Sequence, residues 1–266
     1  MRLFTERSGT GTPVVLLHGL TATHRYVVMG STTLQRSGHD VLAYDARGHG
    51  LSEPAPTPDA YTYADLAGDL GEQLDDAGLP RAVLAGASMG AHTAVRFALE
   101  RPERVAGLVL ITPAFLPGSI SDDSLAVWDA RADGLRRGGI EGFLQAYGDP
   151  GVAPGMRETV LRVMRQRLAL HEHLGAVADA LQAVPRSAPF RDLQDLQAIT
   201  VPTAVVADRD EVDPGHPLAV GQAWATAIPG AELIVEDPGE SPIAWQGGRL
   251  SRVIADVTEQ TTLERE

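Results

Sequence analysis

The sequence has 266 residues, 44% of them hydrophobic, which suits one α/β domain with a sizeable core and room for an inserted subdomain. It contains no cysteine and no lysine, which excludes disulfides, thiol nucleophiles, cysteine-ligated metals and lysine Schiff bases. A net charge of −13 disfavours nucleic acids and anionic membranes as partners.

The location and source of the protein can be predicted only coarsely. The first residues contain no apolar signal-peptide segment, and no apolar run reaches membrane-spanning length, so we expect a cytoplasmic protein. The abundance of alanine, glycine and arginine indicates a bacterial genome rich in GC. The sequence does not distinguish a monomer from a homodimer.

Strands and helices alternate over the first part of the chain and again over the last part. This alternation predicts a mostly parallel sheet that is covered by helices on both faces. The apolar runs predict buried strands at 13–17, 40–44, 81–85, 105–111, 202–207 and 231–235, and the helical pattern covers 63–77, 91–100, 218–227 and the residues after 248.

The pattern changes after Thr112-Pro113, where strand-like runs disappear until residue 202. We interpret residues 116–190 as a helical cap inserted between two parts of one core, 1–115 and 191–266. Glycine and proline residues separate four predicted helices, at 122–137, 140–147, 155–173 and 174–183.

The chain is organised around Gly86-Ala87-Ser88-Met89-Gly90, which follows a buried strand and opens a helix. This context predicts a nucleophile elbow, a sharp turn that exposes the serine hydroxyl. Gly86 and Gly90 leave room for a strained backbone at Ser88. The free N–H groups at the start of the helix favour negative charge beside that serine.

Taken together, the motifs resemble those of the α/β-hydrolase superfamily, in particular its small, capped bacterial esterase-like and haloperoxidase-like members. They include Leu17-His18-Gly19, the run from Asp45 to Ser52, the elbow, and the strand and turn from Pro202 to Asp210. The resemblance implies an α/β-hydrolase fold with Ser88 as the nucleophile. It also implies an oxyanion hole formed by the main-chain N–H groups of Leu20 and Met89. Serine at the elbow, where epoxide hydrolases and dehalogenases have aspartate, favours acyl chemistry.

The other two catalytic positions follow the last two strands. The resemblance implies that Asp210 is the acid, with Glu211 and Asp213 as alternatives. The usual histidine position is occupied by Glu240, within Gly239-Glu240-Ser241-Pro242, and no histidine follows His216. A glutamate is a weaker base than a histidine at neutral pH unless burial beside another carboxylate raises its pKa.

Another histidine could replace the missing base. His216, six residues after Asp210, and the histidines of the predicted cap, His171 and His173, are the leading candidates, while His92 is expected to pack beneath the sheet.

We therefore predict a hydrolase of esters or related acyl compounds that uses Ser88 and an atypical base, with Asp210 and Glu240 as its partners. The alternatives are a non-hydrolytic lyase, isomerase or cyclase on the same scaffold, and a catalytically silent protein that binds a small molecule. Neither a metal-ligand cluster nor a dinucleotide motif is present in the sequence, so no cofactor or metal is expected.

Overall fold

A single seven-stranded sheet forms the centre of the molecule in the computed structural model, which describes residues 1–152, 154–209, 213–238 and 245–263. The order of the strands across the sheet is β1-β3-β2-β4-β5-β6-β7. The strands are β1 (Thr5–Gly9), β2 (Thr12–Leu17), β3 (His39–Tyr44), β4 (Ala82–Ala87), β5 (Val105–Ile111), β6 (Thr203–Ala207) and β7 (Glu232–Val235).

The helices follow the strands in the order that the sequence predicts. Short 3₁₀ turns lie between them, at His24–Tyr26, Pro102–Arg104, Pro154–Met156, Val184–Arg186 and Leu193–Ala198. The α-helices are α1 (Thr33–Arg36), α2 (Tyr63–Asp76), α3 (Met89–Glu100), α4 (Asp122–Tyr147), α5 (Arg157–Leu168), α6 (Leu174–Ala183), α7 (Leu218–Ala227) and α8 (Gly247–Leu263).

Every neighbouring pair of strands from β3 to β7 is parallel, and this confirms the prediction of a mostly parallel sheet. The exception is β1, which pairs antiparallel with β3 at the edge of the sheet. The sequence analysis missed β1 because its residues, Thr-Glu-Arg-Ser-Gly, are all exposed and carry no hydrophobic pattern. Main-chain pairing to β3 alone creates this strand.

Two hydrophobic layers cover the sheet, one on each face. Ala82 and Leu84 of β4 belong to the layer shared with α2, α3 and α7, whereas Val83 and Ala85 belong to the layer shared with α1 and α8. Successive residues of a strand point to opposite faces, so a continuous apolar run serves both layers. Trp224 of α7 is fully buried in the first layer, and Ile254 of α8 is fully buried in the second.

Three helices, α4, α5 and α6, lie between β5 and β6 and form what we call the helical insertion. Helix α4 is broken at Gly139, whose φ of 57° departs from helical geometry, at the Gly138-Gly139 pair that the sequence marks as an interruption. The insertion has an apolar cluster of its own, which includes Phe143, Leu168 and Leu181, and Leu20 from the loop after β2 packs against it. Its role as a cap, and the boundaries at 116 and 190, stay predictions.

Helix α5 is shorter than the predicted helix over 155–173, because the chain leaves helical geometry to contact the core. The main chain of Gly50 donates a hydrogen bond of 2.8 Å to Nδ1 of His171 and accepts one of 2.9 Å from the N–H of Glu172. These contacts fix the insertion to the loop after β3. None of the described helices is long and apolar enough to cross a membrane.

A buried ion pair joins this same loop to α2. Nε and Nη2 of Arg47 each lie 2.7 Å from a different carboxylate oxygen of Asp69, and both side chains are buried. Arg47 also donates to the carbonyl oxygen of Ala60 at 2.7 Å. Removing one member of such a pair leaves an uncompensated charge in the interior.

We predict that Asp69→Ala lowers the free energy of unfolding by about 3–5 kcal/mol, because Arg47 loses its bidentate buried partner and keeps only the longer contact of 3.4 Å with Asp65. The matched control is Asp75→Ala on the same helix, where an exposed carboxylate pairs with Arg104 at 2.7 Å. That substitution is expected to cost no more than about 1 kcal/mol. Urea unfolding at pH 7 measures both, and equal losses would contradict the prediction.

Candidate active site

The turn at Ser88 is strained, and two glycines make it possible. Ser88 has φ 52° and ψ −112°, a conformation that a residue with a side chain rarely adopts. A Cβ atom on Gly86 would lie 2.3 Å from the main chain of Gly90, and one on Gly90 would lie 2.1 Å from the carbonyl oxygen of Leu17. The N–H of Ser88 donates to the carbonyl oxygen of Ile111 at 2.9 Å, which anchors the turn to β5.

His216 lies beside the Ser88 hydroxyl and connects it to a carboxylate. Nε2 of His216 is 2.9 Å from Oγ of Ser88, and Nδ1 is 2.7 Å from Oδ2 of Asp213. A carboxylate accepts hydrogen bonds, so the proton of the neutral ring is on Nδ1. Nε2 is then free to accept the hydroxyl proton of Ser88. The three side chains have the arrangement of hydrogen bonds that is found in serine catalytic triads.

Asp213 and His216 belong to one tight turn between β6 and α7. The N–H of His216 donates to the main-chain oxygen of Asp213 at 3.0 Å, so the backbone fixes the spacing that brings the side chains together. Burial alone would raise the pKa of Asp213, but the hydrogen bond and charge of His216 lower it below its ordinary value. The carboxylate is therefore ionised at neutral pH and orients the imidazole.

Another buried carboxyl group lies near Asp213. Burial and the nearby charges of Asp213 and Glu236 raise the pKa of Asp208 to about 7. Glu236, at the end of β7, is buried and accepts hydrogen bonds from the main-chain N–H of Arg209 at 2.5 Å and from the Trp245 indole at 3.2 Å. The end of β7 thus supports the start of the loop that carries Asp213 and His216.

The loop after β2 approaches Ser88 from the other side. A Cβ atom on Gly19 would lie 3.5 Å from Cβ of Ser88, which is ordinary van der Waals contact, so the loop lies directly against the elbow. The main-chain N–H groups of Leu20 and Met89 donate to no protein acceptor within the described ranges. Both N–H groups thus remain available near the Ser88 hydroxyl.

Buried histidines hold the carbonyl groups of this loop. Nδ1 of His18 lies 2.8 Å from the oxygen of Gly19, Nε2 of His49 lies 2.7 Å from that of Leu20, and Nε2 of His171 lies 3.2 Å from that of Thr21. In a trans peptide the C=O and the next N–H point in opposite directions. The bond from His18 to Gly19 therefore turns the Leu20 N–H away from His18.

The structure describes some of the predicted site residues and not others. Ser88 sits in the strained turn, and Leu20 and Met89 flank it. Asp210 and Glu240 lie outside the described residues, so the roles assigned to them stay predictions. Among the described residues, no group of three or more histidine or acidic side chains could hold a metal ion.

His92 and His171, which the sequence analysis considered as replacement bases, have structural contacts instead. Nε2 of His92 accepts from the N–H of Ala114 at 3.0 Å, and Nδ1 lies 2.7 Å from the Tyr63 hydroxyl. His171 connects the helical insertion to Gly50 and Thr21. The Asp-x-x-His turn in Asp213-Pro214-Gly215-His216 is the sequence signal that would have identified the pair near Ser88.

The comparisons agree with this architecture. Residues 12–150 match the family described as alpha/beta hydrolase fold, and the chain belongs to that family. It is an α/β-hydrolase-type enzyme, since its relatives include proteins named as a carbamate hydrolase, a diacylglycerol lipase and an esterase.

Two relatives and one solved structure illustrate the range of named activities among similar proteins. A candidate carbamate hydrolase, RutD, of Variovorax paradoxus is 31% identical over 76% of this chain and 74% of its own. A candidate non-heme haloperoxidase of Mycobacterium phage D29 is 39% identical over 40% of this chain but only 37% of its own length. The crystal structure of the enol-lactonase from Burkholderia xenovorans superposes with a TM-score of 0.78 at 25% identity, over 97% of this chain and 96% of that one.

We predict that acid destabilises the protein partly through His92. Burial, with a smaller contribution from His216, lowers the pKa of His92 to about 3. The unfolded chain binds a proton near pH 6.5, so stability falls as the pH drops from 6.5 towards 3. By pH 5 this histidine alone should cost about 2 kcal/mol.

The measurement is urea unfolding of the native protein and of His92→Gln at pH 7 and pH 5. The native protein should lose about 2 kcal/mol more than the variant between the two pH values. Equal losses would show that His92 can be protonated in the folded state.

Proposed function

We propose that the protein is a serine hydrolase of esters or related acyl compounds, in which Ser88 is the nucleophile, His216 the base and Asp213 the acid. The observation that carries the proposal is the continuous pair of hydrogen bonds, 2.9 Å and 2.7 Å, from Ser88 through His216 to Asp213. The base is atypical in position, since it follows β6 and not β7, but its chemistry is that of an ordinary imidazole.

The proposed reaction proceeds in two steps through an acyl-enzyme. Oγ of Ser88 attacks the substrate carbonyl while Nε2 of His216 takes the hydroxyl proton, and the N–H groups of Leu20 and Met89 stabilise the oxyanion. His216 then gives the proton to the leaving alcohol. A water molecule, activated by the same imidazole, hydrolyses the ester on Ser88 and restores the enzyme.

Acyl hydrolysis is also supported by the relatives, which include proteins named as a carbamate hydrolase and an enol-lactonase. Relatives named as epoxide hydrolases are also present, but serine at the elbow favours attack on a carbonyl. The alternatives of a lyase, an isomerase, a cyclase or a silent binding protein arose because a base was missing from its usual place. His216 beside Ser88 removes the reason to prefer them.

The proposal predicts that a fluorophosphonate probe labels Ser88 and that labelling depends on His216. Intact-mass measurements should show one adduct on the native protein, none on Ser88→Ala, and a labelling rate at least about 10³-fold lower on His216→Gln. Asp213→Asn should be similarly slow because the imidazole loses its fixed tautomer.

Glu240→Gln is the discriminating control, because the sequence alone assigns the base to Glu240. It should label at close to the native rate. Loss of labelling in Glu240→Gln with normal labelling in His216→Gln would overturn the assignment of His216 and restore Glu240. Absence of labelling in the native protein would overturn the serine-hydrolase proposal as a whole.

A further inference from the structure

Two arginines of the helical insertion, Arg131 on α4 and Arg167 on α5, differ from their neighbours because each has a buried Nε. Neither has a carboxylate within ion-pair distance in the part of the chain that the structure describes, and Nε of each is buried without a hydrogen-bond acceptor. Three other arginines between β5 and β6 are paired with carboxylates. Arg136 lies 2.6 Å from Asp179, Arg165 2.6 Å from Glu141, and Arg186 2.8 Å from Asp129.

Arg131 is held between two aromatic rings. Its guanidinium carbon is 4.8 Å from the centre of the Trp128 ring and 4.5 Å from that of Tyr147. Stacking uses the faces of the guanidinium group and leaves the N–H groups at its edge free. Cation–π contacts therefore fix the orientation of this cation without satisfying its hydrogen-bond donors.

Arg167 contacts the loop after β2. Its Nη2 donates to Oγ1 of Thr21 at 3.1 Å, and its guanidinium carbon is 5.4 Å from the centre of the Tyr26 ring. Thr21 directly follows Leu20, and the same loop contacts Ser88 through Gly19. Arg167 therefore contacts this loop at Thr21, two residues after Gly19, which lies against Ser88.

Tyr147 connects the two arginines to each other and to the triad. Burial raises the pKa of Tyr147, the positive charges of Arg131 and Arg167 oppose that rise, and the negative charge of Asp213 adds to it. A Cβ atom on Gly151, just after α4, would lie 3.4 Å from the ring of Pro214, so this end of the insertion touches the turn that carries Asp213. The arginines and the triad therefore face a common region.

Two partly buried cations with no carboxylate in ion-pair contact among the described residues carry a desolvation cost, which the charge of Asp213 offsets only in part at Arg167. Burial lowers the pKa of both guanidinium groups, which shows that their surroundings disfavour the charge. An anion that enters with a ligand would offset this cost, and a planar carboxylate fits the free edge of a guanidinium group. A single negative charge is also easier to place near ionised Asp213 than a double one.

We propose that Arg131 and Arg167 bind a carboxylate of the substrate, so that the enzyme selects acyl compounds that carry a free carboxylate group. This inference rests on the proposed function, since it names the substrate class of the same site. The carboxylate could belong to the acyl part or to the alcohol part of the ester, and both place one anion near the two arginines.

Binding tests the inference separately from catalysis. Isothermal titration of Ser88→Ala with monomethyl adipate, and with the corresponding uncharged methyl ester amide, compares a carboxylate with a neutral group of the same shape. The carboxylate should bind at least about tenfold more tightly. Adding Arg131→Gln or Arg167→Gln to Ser88→Ala should remove the preference, whereas Arg136→Gln and Arg165→Gln, on the same two helices, should leave it intact.

Hydrolysis by the native enzyme completes the test. Monomethyl adipate places the carboxylate in the acyl part, and 4-acetoxybutanoate places it in the alcohol part, so the better substrate of the two identifies the side. Arg131→Lys keeps the charge but loses the planar fork, and it should restore only part of the preference.

The outcomes are distinguishable. A carboxylate preference in binding with no hydrolysis of any ester would overturn the proposed function and leave the anion site standing. Hydrolysis of neutral and charged esters at equal kcat/KM, with no preference in binding, would overturn the anion site alone. A preference that survives in both Arg131→Gln and Arg167→Gln would also overturn it.

Discussion

The close approach of three main-chain segments at the elbow is the constraint on which the site depends. Gly90, at the start of α3, packs against the carbonyl of Leu17 at the end of β2, and Gly86 packs against Gly90. No side chain fits at either contact, so the helix can begin directly above the sheet. This approach forces Ser88 into its strained conformation and places its hydroxyl at the carboxyl edge of the strands.

The position of the base shows how little of a triad is fixed by the order of residues in the chain. Nucleophile, base and acid need only the correct distances and tautomer, and unrelated proteins achieve these with different chain orders. In the proposed triad, one turn after β6 supplies both the acid and the base, because Asp213 and His216 are three residues apart with Pro214 and Gly215 between them. The proposed triad thus needs only two loops to meet, those after β4 and β6.

The fold could be predicted from the sequence far more completely than the site. The strands, the elbow and the break at Gly139 depend on residues that are contiguous in the chain, and these were predicted correctly. The edge strand β1 was missed because only its backbone takes part in the sheet. Whether the ring of His216 points at Ser88 depends on a contact across 128 residues. The sequence also does not show that Arg131 and Arg167 have no ion-pair partner among the described residues, because the fold determines which carboxylates lie close to them.

The same physical principle links the buried histidines, the triad and the two arginines. His18 and His171 are buried as neutral rings, each with one nitrogen accepting and the other donating, so their polar groups are satisfied by the protein. Arg131 and Arg167 are the opposite case, because the buried Nε of each lacks an acceptor among the described residues. The proposed ligand carboxylate would bring negative charge to both guanidinium groups. This lack of acceptors is therefore better explained as recognition of an anion than as a contribution to stability.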